Sequence, residues 1–495
     1  MFLATVAIYQ VSAIGSALPN YHNHPNPKSC LRKQTTEDKL KRLLTITIAF
    51  IALSFSAVFA KASTHTGPRI GLTLIPPTPV TDKITLDIRG GIWNRTGHAE
   101  KYHTAIYLDQ EKPGEKLYEK TLVVPPRSAA GIRYLMATKG REGHHQILLV
   151  ARSGRSVLRT SQPITILRSK VRSTKRIGGA WVGITHWSEK EGKPWNKQIK
   201  KMTDADWRQL VRGMHRIGMN IIVVQQVFEN QVYNNEDSII TQNGYHGLAY
   251  YPSKLFPGRM PIVAKDPIGA ILTEADKLGM HVFLGVGMYA WFDYSTASLA
   301  WHEKVAKELW NLYGYHPSFY GWYISEEKDG GLGDAKERNQ IVNFFKHFTP
   351  YVNRLAPGKP VMLATNCFHL RGAQSTYLKL LPNLDILCPF AFDRMDSGDE
   401  TGAQAAALLA KLTHETGTHL WLDMEVFVFD KDGALVPRPI SGVIGDLDKY
   451  KNFEETLCYQ YPGLLTAPAA AVRLGGEPAV KLYLDYEKYI KGLQK

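Results

Sequence analysis

Gly321-Trp322-Tyr323-Ile324-Ser325-Glu326-Glu327 is an apolar run that ends in adjacent carboxylates, and Leu420-Trp421-Leu422-Asp423-Met424-Glu425 repeats that plan about a hundred residues later. Both read as buried strands with acidic tips. Working outward, the same rhythm of apolar strand and amphipathic helix recurs, with strands expected at 179–186, 219–226, 280–287, 319–325, 360–366, 384–392, 418–425 and 456–461. Helices are expected between them. Thr203 with Asp206 forms a capping-box pattern ahead of Trp207, Leu210, Val211, Met214 and Ile217, and Gly218 closes that helix. Asp266-Pro267 opens the next, which Gly279 closes. Eight alternations over roughly 320 residues give a (β/α)8 TIM barrel, with a doubly wound open sheet as the rival. In a closed parallel barrel all strand tips emerge on one rim, so the two acidic strands would meet there.

Upstream, from about Arg69 to Leu167, the period falls to two: Ile84, Leu86 and Ile88; Thr104, Ile106 and Leu108; Ile147 and Leu149; Ile164 and Ile166. That pattern predicts a small all-β sandwich of immunoglobulin or fibronectin type over residues 64–168. Lys170, Arg172, Lys175 and Arg176 mark 169–176 as a basic linker, and 177–495 as the barrel. Near the start, Lys39, Lys41 and Arg42 precede an uncharged apolar run from Leu43 to Phe59 and then Ala60-Lys61-Ala62. This is the order of a signal peptide, with a membrane anchor as the alternative, so residues 1–62 are expected to be leader and the remainder exported, periplasmic or extracellular. Residues 1 to about 37 precede the signal-like segment and stand outside the fold, as an overextended start or an unusual leader.

A hydrophobic content of 44% excludes wholesale disorder. The formal charge is +15; the leader holds seven of the 60 basic residues and two of the 45 acids, so the rest keeps a surplus of ten. No zinc-finger, RNP or basic-helix pattern accompanies it, and the surplus reads as solvated surface rather than a nucleic-acid footprint. Cys367, Cys388 and Cys458 sit in strand-like apolar settings and read as small buried hydrophobes. Gly285-Val286-Gly287-Met288-Tyr289-Ala290 matches GxGxxA but follows the third strand, where a dinucleotide fingerprint does not belong. No cofactor or metal is expected; His144-His145 lacks ligand spacing.

The expected strand ends are rich in carboxylates, amides and aromatics: Trp187, Gln225, Gln226, Tyr289, Glu326, Glu327, Asn366, Asp393, Asp423, Glu425 and Tyr459. Sugars need that mixture, because flat apolar ring faces stack on aromatics while hydroxyls need bidentate amides and acids. Cleavage of a glycosidic bond needs one carboxyl to protonate the leaving oxygen and a second to attack or to activate water. Glu327 and Glu425 are the candidate catalytic pair. Trp187, Gln225, Gln226, Tyr289, Glu326, Asn366, Asp393, Asp423 and Tyr459 are candidate substrate contacts. His369 reads either as a further donor or as a satisfied structural histidine.

Trp322-Tyr323-Ile324-Ser325-Glu326-Glu327 on strand four with Trp421-Leu422-Asp423-Met424-Glu425 on strand seven resembles the clan of barrel glycoside hydrolases. It is more closely similar to a group of secreted bacterial glycosidase-like barrels carrying Gly-Trp-Tyr-Ile-Pro-x-Glu on strand four. The likeness covers about residues 177–495. It implies an acid/base at Glu327, a nucleophile at Glu425, a retaining mechanism and an oligo- or polysaccharide substrate. Two positions depart from the patterns: Glu326 stands where the clan has Asn, and Ser325 where the closer group has Pro. A glycan-binding or envelope-scaffold barrel without catalysis is the alternative function.

Overall fold

The computed structural model describes residues 68–230, 247–255, 258–287 and 292–493. The expected leader over 1–62 and the expected contact Tyr289 lie outside the described residues. Among the described residues, no helix is long and apolar enough to cross a membrane.

The barrel strands are β1 (Gly179–Val182), β2 (Ile221–Val224), β3 (His281–Gly285), β4 (Phe319–Lys328), β5 (Val361–Thr365), β6 (Ile386–Leu387), β7 (His419–Glu425) and β8 (Glu455–Tyr459). Every neighbouring pair is parallel, and β8 returns to β1 through Leu457 opposite Gly179 and Cys458 opposite Ala180. The ring is closed, which excludes the open sheet. The ladder of β6 is only two residues long because Pro389, with no N–H, interrupts the run expected over 384–392.

The outer layer holds α1 (Asp204–Arg216), α2 (Pro267–Leu278), α3 (Thr296–Tyr313), α4 (Ala335–Leu355), α5 (Gln374–Leu380), α6 (Gly402–Thr416), α7 (Ile440–Lys449) and α8 (Gly476–Leu493). Their ends follow from local chemistry. Thr203 and Asp206 cap α1 reciprocally, and Asp266 accepts from the Gly269 amide ahead of α2, which stops at the left-handed Gly279. Inside the ring, side chains of alternate residues interlock, as with Trp181 edge-on to Tyr323 at 5.7 Å and Phe283 edge-on to Trp421 at 5.9 Å.

Upstream stand two β-sheets. One runs Arg69–Ile75, Thr85–Trp93, Ala129–Ala137, all antiparallel. The other orders Val80–Thr81, Ser156–Leu167, Gly143–Ser153, Glu100–Leu108 and Lys116–Val124. They share one apolar cluster that includes Leu72, Ile88, Ile106 and Leu149. The alternation in Ile84, Leu86 and Ile88 predicts one wet face, yet Thr85–Trp93 is buried on both faces after its first residue. Its other face lies on the amino-terminal end of the barrel. Arg89 bridges Asp87 and Asp385, each at 2.7 Å, and the Trp93 indole donates to the Leu355 carbonyl at 2.9 Å. Gly91 is required there, since a Cβ would stand 2.4 Å from the Pro357 carbonyl oxygen. Ile75, fully buried, joins the barrel's inner cluster beside Trp181, Phe283 and Trp421 and closes its lower end. Burying it contributes about 2 kcal/mol.

Candidate active site

Strand parity decides which tip residues face inward, because successive side chains of a strand alternate between its two faces. On β7 the Trp421 ring is inside the barrel, so Asp423 and Glu425 point the same way. On β4 Tyr323 is inside, so Ser325 and Glu327 follow it and Glu326 does not. Glu326 turns toward the helix layer, fully buried, with a carboxylate oxygen 3.8 Å from Nε2 of His302 on α3.

Glu327, Asp423 and Glu425 thereby share one cavity at the carboxyl rim with Trp187, Glu191, Phe390, Arg394, Phe427, Phe429, Leu435 and Tyr459. It encloses ≈ 600 Å³ counted to its open mouth, within the range of small-molecule sites. A larger opening lies at the opposite end of the barrel beside Arg172, His419 and Glu454, but His419 and Glu454 there are bonded to each other at 2.6 Å.

Burial acts on two of the carboxyl groups. Burial raises Glu327 from 4.5 to about 7, the nearby Glu191 charge adds to the rise, and Arg394 opposes it. Its surface is only half-buried, so water at the mouth tempers the effect. Burial pushes Asp423 well above the carboxylate range, reinforced by the charges of Glu425 and Glu327. Glu425 is held differently: Arg394 Nε donates to its two oxygens at 2.9 and 3.0 Å, and Nη2 donates to Oε1 at 2.5 Å. This fork sets the orientation of the Glu425 carboxylate. The Arg394 guanidinium in turn lies 5.9 Å from the ring centres of both Phe427 and Phe429.

Across the mouth, His186 is fully buried and lowered to about 4 by desolvation, hence neutral at pH 7. Its Nε2 lies 3.1 Å from the Tyr459 hydroxyl and 3.5 Å from a Glu191 oxygen. The Tyr459 hydroxyl donates to Gln225 Oε1 at 3.4 Å. Tyr459, its phenol pushed up by burial and then by Glu327 and Glu191, is a neutral hydrogen-bonding wall. An acid poised near neutrality, an oriented carboxylate and a rim of neutral donors and acceptors suit acid-assisted displacement at an acetal carbon.

Of the residues singled out from the sequence, Trp187, Glu327, Asp423, Glu425 and Tyr459 line the cavity and Gln225 adjoins it. Gln226 is fully buried, with its amide 3.4 Å from the Thr185 carbonyl. Asn366 Oδ1 accepts from the amides of Gly330 and Phe368, tying two loops together. Asp393 is taken by Lys449 and the Tyr450 hydroxyl, at 2.7 and 2.8 Å. His369 is largely exposed, and its amide donates to Asp399. Glu191, Phe390, Phe427, Phe429 and Leu435 are cavity residues that the sequence did not single out, and at the end of β6 Arg394 enters the cavity in place of the expected contact Asp393. Arg394 adjoins Asp393, and parity would have chosen it had the end of β6 been known.

Residues 177–472 match the family described as Domain of unknown function (DUF4434). No curated protein matches the chain. Three solved structures illustrate what the chain resembles. One is a candidate alpha-L-fucosidase from Bacteroides thetaiotaomicron VPI-5482, 18% identical, with 64% of this chain and 93% of that one covered and a TM-score of 0.47. Another is a GH2 beta-galacturonidase from Eisenbergiella tayi, 9% identical, with 86% and 71% covered and a TM-score of 0.38. A third is a beta-glucuronidase from Bacteroides uniformis, 12% identical, with 81% and 46% covered and a TM-score of 0.38.

Proposed function

The chain belongs to the DUF4434 family, and we propose that it is an exported glycoside hydrolase that cleaves a glycosidic bond with retention, Glu327 serving as acid/base and Glu425 as nucleophile. One observation carries the reading: carboxylates from β4 and β7, three strands apart in a ring of eight, line one cavity, one raised to about 7 and the other gripped by a guanidinium. The bond to be cut would lie between them. Glu327, protonated near neutrality, gives its proton to the leaving oxygen as Glu425 attacks the anomeric carbon. The ionised Glu327 then takes a proton from water, which releases the sugar from Glu425 with its configuration kept. Trp187 and Phe429 offer ring faces for stacking, and Asp423, Gln225 and Tyr459 offer polar partners to hydroxyls.

The proposed organisation is a leader over 1–62, an immunoglobulin-like sandwich over 64–168, a linker over 169–176 and the barrel over 177–495. A barrel that binds glycans without cleaving them is the second reading, favoured by the double engagement of Glu425 by Arg394. Digestion of a glycan library with mass-spectrometric readout separates the two: wild-type chain should release product and Glu327→Gln should not. NMR of the first-formed anomer then tests retention, which requires carboxyl groups about 5–5.5 Å apart rather than about 6.5–9.5 Å. Inverted product would remove Glu425 from the nucleophile's role.

A further inference from the structure

On the glycosidase reading above, the charges of the cavity bear on which sugar it takes. Four carboxyl groups line it, Glu191, Glu327, Asp423 and Glu425, against one cation among the described residues, Arg394. Two-carboxylate chemistry accounts for Glu327 and Glu425 only. Arg394 commits its Nε and Nη2 to Glu425 and lies against the rings of Phe427 and Phe429. A carboxylate on the substrate would find Arg394 already engaged and would meet Glu191 instead, a like-charge contact that acts as a filter.

A second observation comes from Asp423. The residue is 4% exposed, it forms part of the cavity wall, and its Oδ1 has no hydrogen-bond partner. Buried polar atoms in folded proteins are nearly always satisfied, so this oxygen calls for a hydrogen-bond partner brought by the ligand. An ammonium group brings three donors and no acceptor, and its charge suits Glu191, because burial favours the neutral forms of Glu327 and Asp423 and Arg394 balances Glu425. The formal charge of +15 does not oppose this, because charges beyond about 8 Å are largely screened at physiological salt and the groups in the cavity decide.

We propose that the cavity accepts a sugar bearing a free amino group, with its ammonium facing Glu191 and a ring hydroxyl on Asp423 Oδ1, and that it turns away uronic acids. Glu191 is a specificity-determining residue in this arrangement and takes no part in bond cleavage.

The test is binding to the full chain, by calorimetry or saturation-transfer NMR at pH 6.5, of glucosamine, galactosamine and mannosamine. Their neutral parents, N-acetylglucosamine, glucuronate and galacturonate are run in parallel. At least one amino sugar should bind about tenfold or more tightly than its parent. N-acetylation should abolish the gain, and uronates should bind least. Glu191→Gln should remove the preference for the amine while neutral sugars still bind, and Glu191→Asp should restore part of it. If Glu191→Gln fails to fold, the N-acetyl comparison on wild-type chain decides alone. Uronates binding as well as amines, or a preference that survives Glu191→Gln, would overturn the amino-sugar assignment. Neutral sugars binding with no gain from the amine would refute it too and leave the glycosidase reading standing. Failure of every sugar to bind would overturn the amino-sugar assignment and leave the glycosidase reading to the glycan-library digestion.

Discussion

Replacing Glu327 by glutamine should stabilise the fold at alkaline pH while abolishing turnover. Desolvation, the largest cause of its raised pKa, penalises the ionised form, so the folded chain holds a proton that the unfolded chain has released across the interval from 4.5 to about 7. Stability is full below 4.5 and declines as pH rises through about 7, because the native state binds more protons in that window. A rise from 4.5 to about 7 corresponds to about 3 kcal/mol. Water at the open side of the carboxyl trims this to about 2 kcal/mol. Glutamine carries no charge to desolvate and avoids the penalty. Urea denaturation of wild type and Glu327→Gln at pH 5 and pH 8 measures the effect: near-equality at pH 5 and an advantage of about 2 kcal/mol for the variant at pH 8. A difference that stays constant between the two pH values, or an alkaline advantage for wild type, would mean that the Glu327 carboxyl is not desolvated. The case for it as the proton donor would then lose its physical basis.

Removing the guanidinium from Glu425 with Arg394→Met should lower kcat about thirtyfold, since charge-assisted hydrogen bonds contribute about 2 kcal/mol and orient the carboxylate; a change confined to KM would assign Arg394 to substrate binding instead. In Glu425→Gly, added azide should restore turnover of an activated substrate and give a glycosyl azide of inverted configuration, read by NMR; no rescue would argue against a nucleophile at that position. Beneath the barrel, burial opposes protonation of His419, but the Glu454 charge and the Asp87 hydrogen bond outweigh it and raise the imidazole to about 9. Its contribution to stability is full below 6.5 and is lost as pH rises through about 9, so His419→Gln should flatten the stability–pH curve between those values. Arg89→Met, which takes the guanidinium from Asp385 while Asp87 keeps Arg133 and His419, should cost about 3 kcal/mol in chemical denaturation.

The eight strands were legible because apolar runs with glycine and capping signals at their ends are local, and Thr203, Asp266 and Gly279 act on their own helices. Inward or outward orientation was harder to read. Trp322 and Tyr323 are both large aromatics and both are buried, one toward the helices and one inside the ring, so composition alone does not separate Glu326 from Glu327. The same ambiguity separates Gln225 from Gln226 and Asp393 from Arg394. Glu191 reaches the cavity from the loop after β1, whose path depends on the buried Trp195 and on Asn196 bonding to the His186 backbone at 2.7 and 2.9 Å. Such long-range loop geometry has no periodic signature. The doubly buried strand Thr85–Trp93 reads as half-wet for a related reason, since its second partner lies nearly three hundred residues away at Asp385.

Because Ile75 stops the barrel from below, the stretch that family comparison recognises, 177–472, leaves out a side chain of the barrel's own inner core. The family's boundary and the core's boundary fall at different places in this chain. Anyone cutting a clone at residue 177 would uncork an aromatic-lined well and invite it to seek another stopper, so the smallest piece worth expressing begins near residue 66, where the compact unit itself begins.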